Sequence, residues 1–439
     1  MKRRIRFENW NRNFSCRPAL YAEPHCVEDV VQLVRLGHNE GKTLRPVGSG
    51  YSYTPLVQTD EILVSLNRIQ GVERIDRDIP AVTVRGGTRL FHLNRFLASQ
   101  GFALGNLGDI DRQTVAGAVS TATHGTGLGL GNISSEVLEI TLVDGRGNLT
   151  VIQDRPRLRA AAVSLGAMGL MVSVKLKIVP HYWLQVDRKV VELDRALDEL
   201  DRNVANHRNF EFFWFPNLDF AFTKTMNLTA NRAAAGMQLF VRPVNDYLVE
   251  NGILWVLNEW SRRFPGARDR LLNIIPRVAP QEVSFEPAER AYATPRWVRH
   301  NEIEYAIDIR NVHRALTELR RSLHEAGTRV LFPIEVRFCR RDDLYLSPSS
   351  DRDVAYISAH TYADEAYHGY FQRVEQIMKR FGGRPHWGKL HFLSGNDFAY
   401  LYPRWDDFHR ERQTLDPEGL YLNPYLKTIF AGKREPPSG

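Results

Sequence analysis

From about residue 27 to residue 180, short apolar runs alternate with amphipathic stretches, and glycines stand at the joints between them. No other feature limits the fold as much, because strand–helix alternation is the sequence signature of an α/β layer. The spacing predicts a helix over Glu28–Glu40, with Val27, Val30, Val31 and Val34 on one face and Gly41 as its stop. An expected strand, Thr43–Val47, runs into the loop Gly48-Ser49-Gly50. Two more are expected at Glu61–Leu66 and Ala81–Arg85. The second leads through Gly86-Gly87 into a helix with Leu90, Leu93 and Leu97 on one face. Val137–Ile152 reads as a hairpin turning at Asp144-Gly145.

Past Pro180 the texture changes. Aromatic-rich strands are expected around Tyr182-Trp183, at Glu211–Pro216 and at Phe220–Thr225. Helical periodicity follows at Tyr247–Arg263 and Val312–Ala326. The stretch between them, with Pro276, Pro280, Pro287 and Pro295, reads as loop. Val330–Phe338 and Val354–Tyr362 read as strands, and Ala366–Phe381 as a helix running into Gly382-Gly383. No internal repeat is visible. A chain of 439 residues suggests two or three units at a prior of ~150 residues each. The break near Pro180 divides it into an α/β domain, 1–180, and an α+β domain, 181–385.

Composition narrows the function. With 43% hydrophobic and 25% charged residues the chain is globular rather than disordered. The net charge of +7 is spread through the chain, its densest cluster being Lys2, Arg3, Arg4 and Arg6. A nucleic-acid binder concentrates such charge on one face, so no nucleic-acid partner is expected; the excess reads first as a solvated basic surface, with attraction to anionic cofactors or substrates as the functional alternative. Cys16, Cys26 and Cys339 are an odd set without CxxC spacing, which excludes a disulfide framework or zinc site and points to a reducing compartment. No apolar run follows the basic N-terminus, and Ala160–Val174 falls short of the ~20 residues of a membrane span. A cytoplasmic protein with no transmembrane segment is the expectation.

Four segments could carry chemistry. The loop Val47-Gly48-Ser49-Gly50-Tyr51-Ser52 ends a strand and lets backbone N–H groups approach an anion, although many such loops are only turns. In Thr114–Gly127 nothing exceeds valine in size except His124, which suits a wall against a flat ligand and equally suits tight packing. In Pro333-Ile334-Glu335-Val336-Arg337, alternation sets Glu335 and Arg337 on one face. They could grip a hydroxylated substrate, or form a structural ion pair. His386-Trp387-Gly388-Lys389 would set an aromatic wall beside a cation, with a solvated lysine as the default reading of the segment by itself. There is no HExxH, no GxSxG and no carboxylate-rich metal loop, so no metal is expected. His360 and His391 read as structural histidines.

Taken in order, these segments resemble the aldonolactone oxidoreductases, flavoproteins of the vanillyl-alcohol-oxidase type that include gulono-, galactono- and arabinono-1,4-lactone oxidising enzymes and alditol oxidases. The likeness spans nearly the whole chain: the VGSGYS loop, the TVAGAVSTATHGTG wall, Ser164–Leu170, PIEVR, HWGK and the Asp416–Tyr425 segment. It implies a two-domain α+β fold: an FAD-binding domain over 1–180, a substrate-bearing cap over 181–385, and a segment, 386–439, that returns to the FAD domain.

By the same resemblance, Val47, Gly48, Ser49, Gly50, Tyr51, Ser52, Thr114, Gly117, Ser120, Thr121, Thr123, His124, Gly125, Thr126 and Lys389 are cofactor-side residues. Glu335, Arg337 and Lys389 are implied as catalytic, with Glu335, Arg337 and His386 on the substrate. Arg337 and Lys389 would stabilise negative charge on the substrate oxygen and the reduced flavin, and Glu335 would orient the hydroxyl and take its proton. Many members bond FAD covalently through a His in the first loop; Tyr51 stands there, which implies non-covalent FAD. The implied reaction is oxidation of a sugar 1,4-lactone or polyol by hydride transfer to flavin N5, with O2 as acceptor. The alternatives are a dehydrogenase passing electrons to another carrier, an alditol oxidase, and a flavin-binding protein without turnover.

Overall fold

The computed structural model describes residues 5–216, 218–231, 281–293, 298–328, 330 and 332–433. The expected helix Tyr247–Arg263 lies outside them. The first helix runs Val27–Glu40 and ends on Gly41 at φ +63°, the left-handed conformation that glycine adopts without a Cβ penalty. Its buried Val30, Leu33 and Val34 cover a small parallel sheet ordered Leu20–Ala22, Ile62–Ser65, Leu44–Val47. Parallel strands pair only here among the named strands of the described residues. A five-stranded antiparallel sheet follows, ordered Leu149–Ile152, Val137–Val143, Leu170–Lys177, Ala81–Arg85, Val72–Asp76. The turn of its expected hairpin is held by the Asp144 carboxylate, which accepts from the backbone N–H of Arg146 and Asn148.

From Trp183 onward the chain builds an eight-stranded antiparallel sheet. Its order is Glu282–Pro287, Trp183–Glu192, Phe220–Thr229, Asn209–Trp214, Ile334–Cys339, Val354–Tyr362, His300–Asp308, Arg384–Pro385. Two of these strands, Glu282–Pro287 and His300–Asp308, fall in the proline-rich stretch read as loop, and that reading is corrected. His-Asn-Glu-Ile-Glu-Tyr-Ala-Ile-Asp alternates with period two, but its charges sit on a buried face, so it lacks the apolar run that marks a central strand.

The sheet has two unlike faces. Phe212, Ile303, Tyr305, Ile334, Val336 and Ile357 join one core with the helices Val312–Glu325 and His368–Arg380. The opposite parity carries Glu302 and Glu304, Glu335 and Arg337, Ser358 and His360. Cross-strand register sets Glu302 opposite His360, and Ser358 between Glu304 and Glu335. Among the described residues, no helix is long and apolar enough to cross a membrane.

Candidate active site

Two cavities share a wall residue, one lying within the first 180 residues and the other where they face the eight-stranded sheet. The larger is a cleft whose lining includes the loop Val47–Ser52, Gly86-Gly87 and Gly166, together with Thr114, Gly117, Ser120 and Thr121. Thr114 caps the short helix Val115–Ser120 by accepting from Gly117 N–H, so the hydroxyl-rich wall begins at a fixed point. The loop must be glycine at its start: a Cβ on Gly48 would lie 2.5 Å from Thr114 Oγ1, and Gly50 has φ +73°. Among the described residues, no carboxylate lines this cleft. Its donors are glycine-loop backbone and hydroxyl groups, with the guanidinium of Arg45 in the wall, a set that suits a long anionic cofactor. Arg45 is itself fully engaged: it donates to the carbonyls of Leu56, Leu165, Gly166 and Tyr421. Tyr51 lines the cleft and stacks on Trp10.

The second cavity is polar and shares Gln113 with the first. Lining it are Asp109, Thr123, His124, His300, Glu302, Glu304, Glu335, Arg337, His360, His386 and Lys389. The expected pair is confirmed as neighbours but not on a surface: Arg337 Nε stands 3.3 Å from Glu335 Oε1, and both are buried. Arg337 also donates to Glu304 at 2.7 Å and Asp109 at 3.2 Å. Burial disfavours its charge, yet the carboxylates of Glu335, Glu304 and Asp109 hold its pKa well above the usual value. Glu304 accepts from Ser358 Oγ at 2.7 Å and lies 3.3 Å from His124 Nε2. Burial would raise its pKa, but His124 and Arg337 hold it well below the ordinary carboxylate value.

Lys389 contacts Glu302 through its ammonium group and sits over the Tyr53 ring at 5.4 Å. The segment carrying it is tied to the first loop, since Tyr53 N–H donates to Gly388 O at 2.7 Å and Thr54 Oγ1 to Trp387 O at 2.8 Å. Glu302 is likewise opposed by burial, but Lys389, His360 and His300 hold it well below the usual value. His386 accepts from Gly388 N–H through Nδ1 at 3.1 Å, and burial pushes its pKa down to about 3. It faces the cavity as a neutral ring.

The structure therefore divides the expected cofactor-side residues. Val47 to Ser52, Thr114, Gly117, Ser120 and Thr121 line the cleft; Thr123, His124 and Lys389 line the polar cavity. Gly125 and Thr126 line neither of these two. A Cβ on Gly125 would lie 2.1 Å from Leu107 O. Thr126 accepts from Phe338 N–H and contacts Phe210 O, joining the wall to the eight-stranded sheet. His360 lines the cavity while bonded to Pro333 O and packed beside His300 and Phe332; His391 pairs with Tyr425 OH at 2.7 Å. Glu302, Glu304, His300 and Asp109 were not singled out from the sequence. The alternation in His300–Asp308 was the signal for three of them.

A family model described as D-arabinono-1,4-lactone oxidase matches residues 174–429, and one described as an FAD binding domain matches 18–153. The chain is similar to the L-gulono-1,4-lactone dehydrogenase of Mycobacterium tuberculosis, at 35% identity over 97% of this chain and 99% of that one. It is 30% identical to the L-gulonolactone oxidase of Scyliorhinus torazame, covering 97% and 98%. Among solved structures, a cholesterol oxidase from B. sterolicum superposes with a TM-score of 0.81 over 97% of each chain at 16% identity, a likeness of fold.

Proposed function

This chain belongs to the D-arabinono-1,4-lactone oxidase family of FAD-dependent sugar-lactone oxidoreductases, and from that premise we propose that it oxidises a carbinol of a neutral aldono-1,4-lactone. The observation that carries the reading is the polar cavity sharing a wall residue, Gln113, with the glycine-lined cleft. We assign 1–180 to FAD, 181–385 to substrate, and 386–439 to a segment that brings Lys389 back to the cofactor. Val47 to Ser52, Thr114, Gly117, Ser120 and Thr121 would hold FAD, with Tyr51 leaving it unlinked. When bound, FAD supplies the acceptor for the hydride that leaves the carbinol carbon.

The protein's own groups do the rest. Glu335 and Arg337, fixed against each other, orient the sugar hydroxyls. Lys389 and the neutral His386 offer hydrogen-bond donors to the oxygen as its charge develops. Four carboxylates line the cavity against Arg337 and Lys389, which favours an uncharged lactone over its ring-opened carboxylate. We further propose O2 as acceptor, supported by the small side chains of the Thr114–Thr126 wall, and a cytoplasmic location, supported by three free thiols.

The test is spectroscopic. The purified protein is expected to be yellow, to lose its FAD to the supernatant on acid precipitation, and to bleach anaerobically with L-gulono- or D-arabinono-1,4-lactone. The matching aldonate salts should neither bleach nor compete. Flavin in the pellet refutes non-covalent binding, and a lactone and polyol panel that leaves the spectrum oxidised refutes the substrate. Readmitted air should restore colour at least as fast as dye-coupled turnover; slower return makes the protein a dehydrogenase.

A further inference from the structure

FAD brings an anionic diphosphate to the groups that hold it, and the cleft assigned to it offers little charge of its own. Among the described residues, the only charged side chain in its lining is Arg45. That guanidinium is committed to the carbonyls of Leu56, Leu165, Gly166 and Tyr421, and burial pulls its pKa down to about 9 against the opposing effect of Asp416. What the glycine loop offers an anion is backbone: Ser49 and Gly50 line the cleft, and their N–H groups donate to no other group among the described residues.

Arg89 braces that loop from the side of the following segments. It precedes the helix Leu90–Ser99, and its Nη1 donates to Ser49 Oγ and, at 3.0 Å, to Arg112 O, while Nη2 donates to Asn67 Oδ1 at 3.1 Å. The Ser49 hydroxyl passes its own hydrogen to Arg112 O at 2.6 Å, so its side chain is tied to Arg89 and only its N–H is left for a ligand. All three partners of Arg89 are neutral, and no carboxylate of the described residues lies within ion-pair distance of it. Arginine keeps its charge in proteins, and a half-buried guanidinium without a counter-ion is unfavourable.

The neighbouring donors are less suited. Arg112 is 59% exposed and stands 3.4 Å from Asp111, and Arg85 is paired with Glu73. The first N–H groups of the helix Leu90–Ser99 are taken by the carbonyls of Gln113 and Asp111. Burial pushes the Tyr51 phenol up in pKa while Arg112 and Arg89 pull it down, so the field of Arg89 reaches the cleft wall.

We infer that Arg89 is the counter-charge for the FAD diphosphate, acting through the loop it braces and making the cleft prefer a flavin that carries phosphate to one that does not. The inference rests on the placement of FAD in this cleft. Arg89 is a positioning residue: one hydrogen-bonded group, Ser49, stands between it and the anion, and at that range unlike charges in a partly buried wall still attract strongly. The competing role is a brace that needs the three hydrogen bonds but not the charge.

The experiment titrates full-length parent, Arg89→Gln, Arg89→Lys and Asn67→Asp, each stripped of flavin, with FAD and with riboflavin at low and high salt, and follows the quenching of flavin fluorescence. Parent affinity for FAD should fall as salt rises, and its affinity for riboflavin should not. Arg89→Gln should bind FAD roughly 10- to 100-fold more weakly, with a flatter salt dependence and unchanged riboflavin affinity. Arg89→Lys should recover most of that loss. Asn67→Asp keeps the acceptor on Nη2 and adds the missing carboxylate. A brace would hold the loop at least as well, whereas a counter-charge is neutralised, so FAD binding should weaken with riboflavin binding unchanged. Equal loss of FAD and riboflavin in Arg89→Gln overturns the inference, as does undiminished FAD affinity in Asn67→Asp. Should Arg89→Gln fail to fold, Asn67→Asp and the parent's salt dependence decide the matter. A parent that takes up neither flavin fails the cofactor reading instead.

Discussion

Lys389 and Arg337 carry the same charge into the same cavity, yet their removal should have unlike consequences. Lys389 is a single ammonium on one carboxylate, and Lys389→Ala leaves Glu302 beside His300 and His360. FAD should stay bound while anaerobic bleaching by lactone slows by ~10²- to 10³-fold, the usual loss when one preorganised donor is removed. Arg337 is ringed by Asp109, Glu304 and Glu335. Arg337→Ala leaves three carboxylates facing one another in a buried site. It should therefore cost ~3–5 kcal/mol of stability, read as a lower melting temperature, besides its loss of turnover. Equal melting temperatures for the two variants would refute this distinction. Glu335 and Arg337 were legible because one strand carries both at period two. Their partners were not, because Glu304 and Asp109 come from remote segments and only the folded register brings them together.

At the scale of elements, the Thr114–Gly127 wall is held by close backbone approaches on both sides. Gly127 N–H donates to Phe338 O of the eight-stranded sheet at 2.8 Å, and Gly125 lies against the carbonyl of Leu107, within the first 180 residues. Gly125→Ala would push a methyl group into that carbonyl, and neither side can yield as a flexible side chain would. A loss of ~1–3 kcal/mol is expected, measured by denaturant unfolding of the FAD-loaded protein; an unchanged midpoint would refute it. Gly105→Ala, with nothing within 4 Å of the added Cβ, is the control. Elements with their own periodicity, such as Val27–Glu40, Leu44–Val47, Val312–Glu325 and Val354–Tyr362, were read within a few residues, whereas Leu170–Lys177, Arg155–Ala161 and the helices after residue 394 were not read at all. His300–Asp308 was missed because nearby prolines suggested loop and its charges suggested solvent. A central strand with one apolar and one ionised face looks from sequence like an exposed one.

Across the whole molecule, buried titratable groups set an acid limit. Burial holds His386 at about 3 and His391 at about 4, below the ordinary 6.5, so both are neutral in the fold and protonate when it opens. The unfolded chain thus binds more protons below pH 6.5, and stability should fall as pH drops from there, by up to ~1.4 kcal/mol per unit for each histidine. Glu302 and Glu304, with folded values held well below 4.5, extend the loss below pH 4.5. Melting temperatures from pH 7 to 4 check this, and a flat profile contradicts it. The two-domain plan was legible because texture changes near Pro180. The return of 386–439 to the first domain was expected from the resemblance, but the groups that make it were not legible, because each meets a backbone group remote in sequence. The Asp416 carboxylate accepts from Leu420 and Tyr421 N–H and shapes the returning turn, Leu44 N–H donates to Leu420 O, and the Asn423 amide donates to the carbonyls of Pro55 and Gln58.

The four carbonyls around Arg45 set a timetable for the chain during synthesis. Three of them, on Leu56, Leu165 and Gly166, are made early, but the fourth belongs to Tyr421. While translation is still short of that residue, the nascent first domain has its glycine loop and hydroxyl wall but holds a guanidinium with one ligand missing. A ribosome stalled upstream of Tyr421 would display a cleft whose buried cation still lacks one of its four carbonyls.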